Sequence, residues 1–410
     1  MSNSDKRQQV IAPVCALLLL SAGSIPEEGP YSLLWTAPAI LISAMLIAWA
    51  AESAQYFMAQ GVALAILAWL QTLPEFAVEA VFAWKQQVPL LMAGLTGALR
   101  LLTGLGWPMI YFTAAFFKRR RGGHLDEITL EPEHSVEVLG LIASMLYSFF
   151  ICGTGTLDLI DAAVLIAIYC VYLYILSRMP AMAEENVEEM ERIPRAIVTA
   201  RRPVRIAAIT GLFLIGGGMI YFAAEPFLGS LLAVSTALGI PVFVFVQWVA
   251  PFVSEFPEKV SAFYWARTVD KAPTALMNMI SSNINQWTLL AAMLPIVYSI
   301  SRGSVSAIPL DAEQQTELLL TLAQGLLGAL FLLEMKLQWW EAAGLFVLWF
   351  AQFVLSPVAN VHHYFTFAYF AWAAVDIALV VAGRRKATAF PCFAAMWRRH
   401  MGPGDKNRVA

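Results

Sequence analysis

Apolar segments separated by short polar breaks run along nearly the whole of this 410-residue chain. A helix of about 20 apolar residues is long enough to cross the hydrocarbon core of a bilayer, and its backbone polar groups are satisfied within the helix. The pattern therefore predicts an all-α polytopic membrane protein with about twelve transmembrane helices. The predicted segments cover residues 9–23, 32–57, 61–84, 88–117, 136–153, 157–177, 204–235, 239–266, 273–300, 315–334, 339–356 and 361–382.

Composition supports this prediction. Hydrophobic residues make up 59% of the chain and charged residues 13%, and that charged fraction is about half the roughly 25% found in soluble domains. Lys6 and Arg7 precede the first apolar segment, as in a signal peptide, but no small-residue cleavage site stands clearly before the acidic turn at Glu27 and Glu28. We therefore interpret segment 9–23 as a retained helix.

Basic residues alternate between the two sides of the predicted membrane. Short loops rich in Lys and Arg stay in the cytoplasm. With the N-terminus inside, all but four of the 26 basic residues fall in cytoplasmic segments. The exceptions are Lys85 and Arg302 in outer loops, and Arg100 and Lys259 within apolar segments. We therefore expect an integral protein of a bacterial-type inner membrane, with both termini in the cytoplasm.

The two halves of the chain repeat the same motifs in the same order. Ala50-Ala51-Glu52 recurs as Ala223-Ala224-Glu225, Pro74-Glu75 as Pro257-Glu258, and Asp161-Ala162-Ala163 as Glu341-Ala342-Ala343. The predicted spans carrying Glu75 and Glu258 run in opposite directions, which indicates the inverted repeats of secondary transporters. The chain is predicted to consist of an extra helix (1–31), a first five-helix repeat (32–178), a cytoplasmic linker (179–203), a second five-helix repeat (204–356), and a further helix with a basic tail (357–410).

Two acidic clusters lie at matching places in these repeats. Glu75 and Glu79 are four residues apart, and Glu255 and Glu258 are three apart, so each pair shares a helix face. An acid at the bilayer centre costs a few kcal/mol, which favours a cation path. Each proline removes a backbone hydrogen bond and frees carbonyls as additional hard oxygen ligands. The structural alternative is a proline kink with acids near the headgroups, and it is strongest for Glu79 and Glu255, which have no counterpart in the other repeat.

These motifs resemble the α-repeats of the calcium/cation antiporter superfamily, the sodium/calcium exchangers and their relatives. Each repeat of that family carries G-T-S-L-P-E and then a partner helix with G-N-x-x-G-S-N. The second repeat here matches better, because P-E-K-V-S-A-F at 257–263 is followed by M-N-M-I-S-S-N-I-N-Q at 277–286. The resemblance implies that Asn278, Ser282 and Asn283 take the family's Asn, Ser and Asn positions. Gln286 falls where the family often places a further polar or acidic ligand.

The first repeat departs from the family pattern. Its partner helix, residues 93–104, contains no asparagine, and Gly94, Thr96, Gly97 and Arg100 lie near the expected places in a register ambiguous by two residues. If Arg100 faces the acids, its guanidinium takes the place of one transported ion, and four acids with two bases leave a formal charge of −2. That charge suits one divalent cation or two protons. The alternative is that Arg100 ties helices together.

The leading hypothesis is a secondary antiporter that exchanges Ca²⁺ or Na⁺ against protons or another cation by alternating access. Glu75 and Glu258 are the expected ion ligands from opposite halves. The expected neutral ligands are Gln71, Ser254, Asn278, Ser282 and Asn283, and Glu79 and Glu255 are proton acceptors or supporting acids. The expected partners are membrane lipid and small inorganic cations, with no cofactor and no nucleic acid.

Two other classes of function remain open. A sensor or scaffold that has lost transport is favoured by the degraded first partner helix. A membrane-embedded enzyme is disfavoured, because no nucleophile, metal set or cofactor motif accompanies the acids. The four cysteines have no paired spacing, so they indicate neither a disulfide framework nor a zinc site.

Overall fold

A computed structural model describes residues 29–57, 72–178, 187, 190, 192–356, 358 and 360–400 of the chain. Within these ranges, seven helices are long and apolar enough to cross a membrane. The prediction of an all-α polytopic membrane protein is confirmed. The count of twelve spans stays a prediction, because segment 9–23, most of the linker, and the part of segment 61–84 that contains Gln71 lie outside the described residues.

The described helices follow one another with short connections, and two of them continue through a turn of π-helix into a second α-helix. The α-helices are α1 (Leu33–Gln55), α2 (Leu73–Trp84), α3 (Val88–Leu101), α4 (Trp107–Arg120), α5 (Ser135–Thr154), α6 (Leu159–Leu176), α7 (Arg192–Thr199), α8 (Arg202–Leu238), α9 (Val242–Ser254), α10 (Phe256–Arg267), α11 (Ala272–Asn285), α12 (Ala291–Arg302), α13 (Ala312–Leu332), α14 (Trp339–Val354), α15 (Val361–Val381) and α16 (Ala389–His400). The π-helical turns are Leu102–Gly106 and Gln286–Leu290, and short 3₁₀-helices cover Pro30–Ser32 and Pro132–His134.

Four short strands join the two repeats at their connecting loops. The strands are β1 (Glu127–Thr129), β2 (Thr156–Leu157), β3 (Ile308–Pro309) and β4 (Lys336–Gln338). Strand β1 pairs with β4 and β2 pairs with β3, both antiparallel. Since β3 follows the second repeat's partner helix as β1 follows the first's, the two pairings are equivalent, as inverted repeats require.

Helix packing across the repeats has the same symmetry. Helix α2 packs on α12, and the equivalent α10 packs on α4. In the same way, α5 packs on α11 while α13 packs on α3, and α6 packs on α12 while α14 packs on α4. The first long helices of the two repeats, α1 and α8, pack against each other. Contacts of this kind join the two repeats into one helical body.

The partner helices lie at the centre of that body. Every residue of α3 from Leu91 to Leu101 is buried, and so is every residue of α11 from Ala275 to Asn285. Each helix begins with a proline in its first turn and ends in a π-helical turn. Single π-helical turns inside α-helices often mark functional sites, and the described part of each repeat contains one at the end of its partner helix.

The third repeated motif is a helix-capping signal. The Asp158 side chain accepts hydrogen bonds from backbone N–H groups in the first turn of α6, and the Asp161 carboxylate accepts one from the Asp158 backbone N–H at 2.9 Å. Glu341 accepts the Gln338 backbone N–H at 2.9 Å in the same way at the start of α14. Asp161 and Glu341 therefore recur because both helices need a capping box, in which two side chains satisfy N-terminal backbone groups.

The loops predicted to share a side of the membrane contact one another. The Arg121 guanidinium donates to the backbone carbonyls of Thr268 and Arg267, which joins two loops assigned to the cytoplasm. At the other end, the Ser301 hydroxyl donates to the Trp84 carbonyl and joins two loops assigned to the outside. The structure thus places the loops in the predicted groups, while the side that faces the cytoplasm stays a prediction.

Candidate functional site

Both Pro-Glu motifs lie where a helix begins. Pro74 is in the first turn of α2 and Pro257 in the first turn of α10, positions at which the missing N–H of proline costs no helical hydrogen bond. Helix α9 ends at Ser254, so Glu255 stands at a break between two helices of the second repeat. Glu75 and Glu258 lie in the first turns, where the helix macrodipole favours a negative charge.

One amide group joins acids from the two repeats. The Gln286 Nε2 donates to Glu75 Oε2 at 2.7 Å and to Glu255 Oε1 at 2.7 Å. Gln286 begins the π-helical turn of the second partner helix. All three side chains are buried, with Glu75 only 3% exposed. Glu79 lies one helical turn after Glu75 on α2, Glu258 lies three residues after Glu255, and both are buried, so the structure gathers all four predicted acids into one cluster.

Several oxygens of this cluster are buried without a hydrogen-bond donor among the described residues. They include both carboxylate oxygens of Glu258, Oε1 of Glu75 and Oε1 of Gln286. Ser282 lies beside Glu258, but its hydroxyl does not reach hydrogen-bond geometry. Buried oxygens of this kind normally have partners. Carboxylate, amide and hydroxyl oxygens are the kinds of ligand that a hard cation such as Ca²⁺ prefers, so the chemistry of these groups suits a cation. Among the described residues, no three His, Cys, Asp or Glu side chains are already arranged to hold a metal ion.

The Glu79 side chain occupies a position in the first repeat that the sequence did not reveal. Helices α3 and α11 begin at Val88 and Ala272, and their π-helical turns begin at Leu102 and Gln286, so both starts are 184 residues apart. This register aligns Gly94 with Asn278. The Glu79 carboxylate lies directly on Gly94, in space that any Cβ there would fill. An acid from α2 thus takes the place that the second repeat gives to an asparagine.

The remaining predicted neutral ligands have mixed surroundings. The Asn283 Nδ2 donates to Thr103 Oγ1 at 2.9 Å, which links the two partner helices. The Ser254 hydroxyl donates to the Ala250 carbonyl of its own helix at 3.0 Å. Asn278 is fully buried, and Gln71 lies outside the described residues. Asn285, which the sequence analysis did not single out, is fully buried beside these residues in the chain, within the same polar run.

Lys259 belongs to the acidic cluster. Its Nζ lies 2.5 Å from Glu255 Oε2, and the lysine side chain is 6% exposed. With Gln286 on the other oxygen, both oxygens of Glu255 are occupied by donors of the protein itself. From the sequence, Lys259 is recognisable as a cation inside an apolar segment, but its partner is not.

Arg100 belongs to a second polar group. Its guanidinium lies 2.7 Å from Glu317 Oε2, and neither side chain is exposed. Gln247 Nε2 donates to the same oxygen at 2.8 Å, and His362 pairs with the other oxygen of Glu317. His362 also lines a cavity of about 430 Å³ at the start of α15. The structure gives Arg100 an ion pair with none of the four cluster acids among the described residues.

Glu317 is the residue that sequence reasoning missed in this second group. It lies within the apolar segment predicted at 315–334, so an isolated acid in an apolar run was the available signal. No repeated motif accompanied it. Its partner Arg100 was recognised as unusual for the corresponding reason, a base in an apolar run. Among the described residues, the cluster around Glu75 therefore contains four acids and one base, not the two bases considered from the sequence.

Two inverted repeats that bring buried acids to helix breaks define the class of this molecule, a secondary membrane transport protein. The model of the sodium/calcium exchanger protein family matches residues 31–178 and 208–357. The chain belongs to that family, and the predicted membership of the calcium/cation antiporter superfamily is confirmed. It is therefore an integral membrane protein of a family of cation exchangers. Among proteins of curated function, none matches the chain by sequence.

Solved structures of other proteins share the fold. A crystal structure of the H⁺/Ca²⁺ exchanger CAX is 32% identical in sequence with a TM-score of 0.86, over 97% of this chain and 98% of that one. The sodium-calcium exchanger NCX_Mj is 18% identical with a TM-score of 0.51, over 79% of this chain and 97% of that one. YfkE is 12% identical with a TM-score of 0.58, over 88% of this chain and 98% of that one. The last two comparisons show the fold alone.

Proposed function

We propose that this protein exchanges Ca²⁺ against protons across its membrane. The observation that carries the proposal is the set of buried oxygens on Glu75 and Glu258 that have no hydrogen-bond donor within the described part of the chain. Two carboxylates with neutral oxygens beside them suit a divalent cation. The similarity to a protein described as an H⁺/Ca²⁺ exchanger supports the choice of ion and counter-ion.

The two ligand acids come from opposite repeats, which suits alternating access. Glu75 stands on α2 of the first repeat and Glu258 on α10 of the second. A cation held between them keeps one ligand on each side when the helices around the site rearrange. Ser282, Asn278 and Gln286 from α11 and its π-helical turn supply neutral oxygens. Glu79 and Glu255 add negative charge on either side of these ligands.

Protons are the counter-ion that the acid-rich cluster favours. Four buried carboxylates with one ammonium have a formal charge of −3 when all are ionised. Burial of like charges in a low-dielectric site favours their neutralisation by a bound cation or by protons. The same acids can thus hold Ca²⁺ in one state and protons in another, which is the chemical requirement for exchange of the two.

We place the protein in a bacterial-type inner membrane with both termini in the cytoplasm. The distribution of basic residues carries this assignment. The grouping of the loops supports the predicted topology, because loops assigned to one side contact each other.

Purified protein reconstituted into liposomes tests the proposed exchange. An imposed pH gradient is expected to drive Ca²⁺ uptake that stops when the gradient is collapsed. Glu75→Gln and Glu258→Gln are each expected to abolish this uptake, since each removes a ligand charge. Glu131→Gln is the matched control, because Glu131 is an exposed acid in a loop away from the cluster.

Two outcomes overturn the proposal. Uptake at the unmodified rate in both glutamine variants shows that the site is elsewhere. Ca²⁺ binding without gradient-driven uptake in the unmodified protein favours the sensor or scaffold. A scan of Na⁺ and K⁺ gradients at constant pH identifies any other counter-ion.

A further inference from the structure

Lys259 and Glu255 are present together in the second repeat and absent together from the first. The alignment of Pro74 with Pro257 pairs Glu255 with Thr72 and Lys259 with Phe76. Relative to its partner, the second repeat has therefore gained one acid and one base, and the net charge of these two positions is unchanged. An acid that served only as an additional ligand would not need a base four residues later.

The two side chains form a buried ion pair in the structure. The Lys259 ammonium lies 2.5 Å from Glu255 Oε2, and the two side chains are 6% and 1% exposed. Gln286 occupies the other oxygen of Glu255 at 2.7 Å. Within the described residues, this contrasts with Glu258, both of whose oxygens lack donors. Glu258 is available to a transported cation, whereas Glu255 already binds the ammonium group of Lys259.

From this arrangement we infer that Lys259 is a resident cation of the exchange site. Its ammonium group occupies the position beside Glu255 that a monovalent cation such as Na⁺ would otherwise take. It therefore sets the number of mobile charges that the site accepts, and it excludes Na⁺ as a second bound ion. This inference rests on the proposed exchange function and adds a determinant of ion stoichiometry to it.

Electrostatics supports a charge-setting role. An ammonium in contact with a carboxylate at low dielectric attracts it far more strongly than in water. A lysine at this position is also a compact point charge on a flexible stem, closer in kind to a small alkali cation than the planar guanidinium of arginine. Arg100, by contrast, is matched by Glu317 in the second polar group. Among the described residues, it forms no ion pair with the acids of this cluster.

Three variants test the inference. Lys259→Met frees Glu255, so purified protein is expected to bind ²²Na⁺ and its Ca²⁺ uptake is expected to respond to a Na⁺ gradient. Glu255→Gln leaves the ammonium unpaired beside the ligands, and Ca²⁺ binding is expected to weaken about tenfold or more. The double variant Glu255→Gln/Lys259→Met restores the charge balance. At whatever rate it transports, this variant is expected to move the same number of charges per Ca²⁺ as the unmodified protein. The reversal potential measures that number.

The outcomes separate this inference from the proposed function. If the unmodified protein shows no Ca²⁺ exchange, the exchange proposal fails, and ²²Na⁺ binding by purified Lys259→Met still tests the role of the lysine. If Lys259→Met folds and binds no Na⁺, the inference fails. If that variant does not fold, the number of charges that the double variant moves per Ca²⁺ decides. An altered charge per Ca²⁺ in the double variant shows that Glu255 is a proton carrier or ligand itself and overturns the inference.

Discussion

The Arg100 guanidinium and the Glu317 carboxylate form a fully buried ion pair across α3 and α13, with 2.7 Å between Nη2 and Oε2. Gln247 from α9 and His362 from α15 converge on the same carboxylate. Four helices therefore meet at Glu317. One of them is α15, the helix that follows the second repeat.

This relationship predicts an asymmetry between single and double substitutions. Arg100→Met or Glu317→Leu alone leaves an unpaired buried charge and is expected to cost about 3–5 kcal/mol of stability. The double variant removes both charges, and its loss is expected to be clearly smaller than either single loss. Thermal unfolding in detergent, followed by fluorescence, gives the three values. A double variant less stable than both single variants contradicts this account.

The contact between Glu79 and Gly94 predicts a steric effect. A methyl group at Gly94 would overlap the Glu79 carboxylate, so Gly94→Ala is expected to displace that acid and reduce Ca²⁺ uptake at least about tenfold. Gly217→Ala is the matched control, because Gly217 lies in helix α8 with nothing within 4 Å of an added Cβ. Uptake per correctly inserted protein is the measurement. Equal rates in the two variants would show that the position of Glu79 does not matter.

The alignment of the repeats also predicts a rescue. Glu79 aligns with Ala262, and Gly94 with Asn278. The double variant Glu79→Ala/Gly94→Asn therefore gives the first repeat the arrangement of the second. It removes the overlap and supplies an amide oxygen, so it is expected to bind Ca²⁺ more tightly than Gly94→Ala alone. Calorimetry on purified protein measures the affinities. Weaker binding by the double variant would refute the equivalence of Glu79 and Asn278.

The grouping of loops predicts which residues are accessible from each side. In a protein without its four native cysteines, Ser304→Cys is expected to react with a membrane-impermeant maleimide added outside intact cells. Arg121→Cys is expected to react only after the membrane is opened. Ser304 follows Ser301, whose hydroxyl contacts the Trp84 loop, and Arg121 contacts the Arg267 loop. The reverse labelling pattern would invert the proposed orientation.

The sequence was sufficient to predict the fold class and to locate the four acids of the cluster. Apolar segments are recognisable because lipid excludes most polar residues, and an acid in such a segment is conspicuous for the same reason. The Pro-Glu repetition added the relation between the halves. The sequence predicted that each proline removes a backbone hydrogen bond inside a span, which is wrong, because both prolines lie in the first turn of a helix. Both kinds of signal are local in the chain.

The partners of the charged residues were not predictable in this way. Arg100 and Glu317 are 217 residues apart in the chain, and only the packing of α3 on α13 brings them together. The substitution of Glu79 for an asparagine depends on a contact between two helices, and Gly94 by itself carries no sign of it. Such compensation between elements is a property of tertiary structure. The asparagine-poor first partner helix therefore indicated a greater loss of polar groups near Gly94 than the structure contains.

Gln286 gives this site a property that follows from the chemistry of an amide. A primary amide has a donor end and an acceptor end, and a rotation of 180° about its last bond exchanges them. With the donor end towards Glu75 and Glu255, the side chain keeps two like charges together in place of a metal ion. With the acceptor end in that position, the same side chain would present an oxygen to the proposed cation. A leucine could serve in neither state and a glutamate in only one, so glutamine suits the proposed exchange, in which the site is stable both with and without a bound cation.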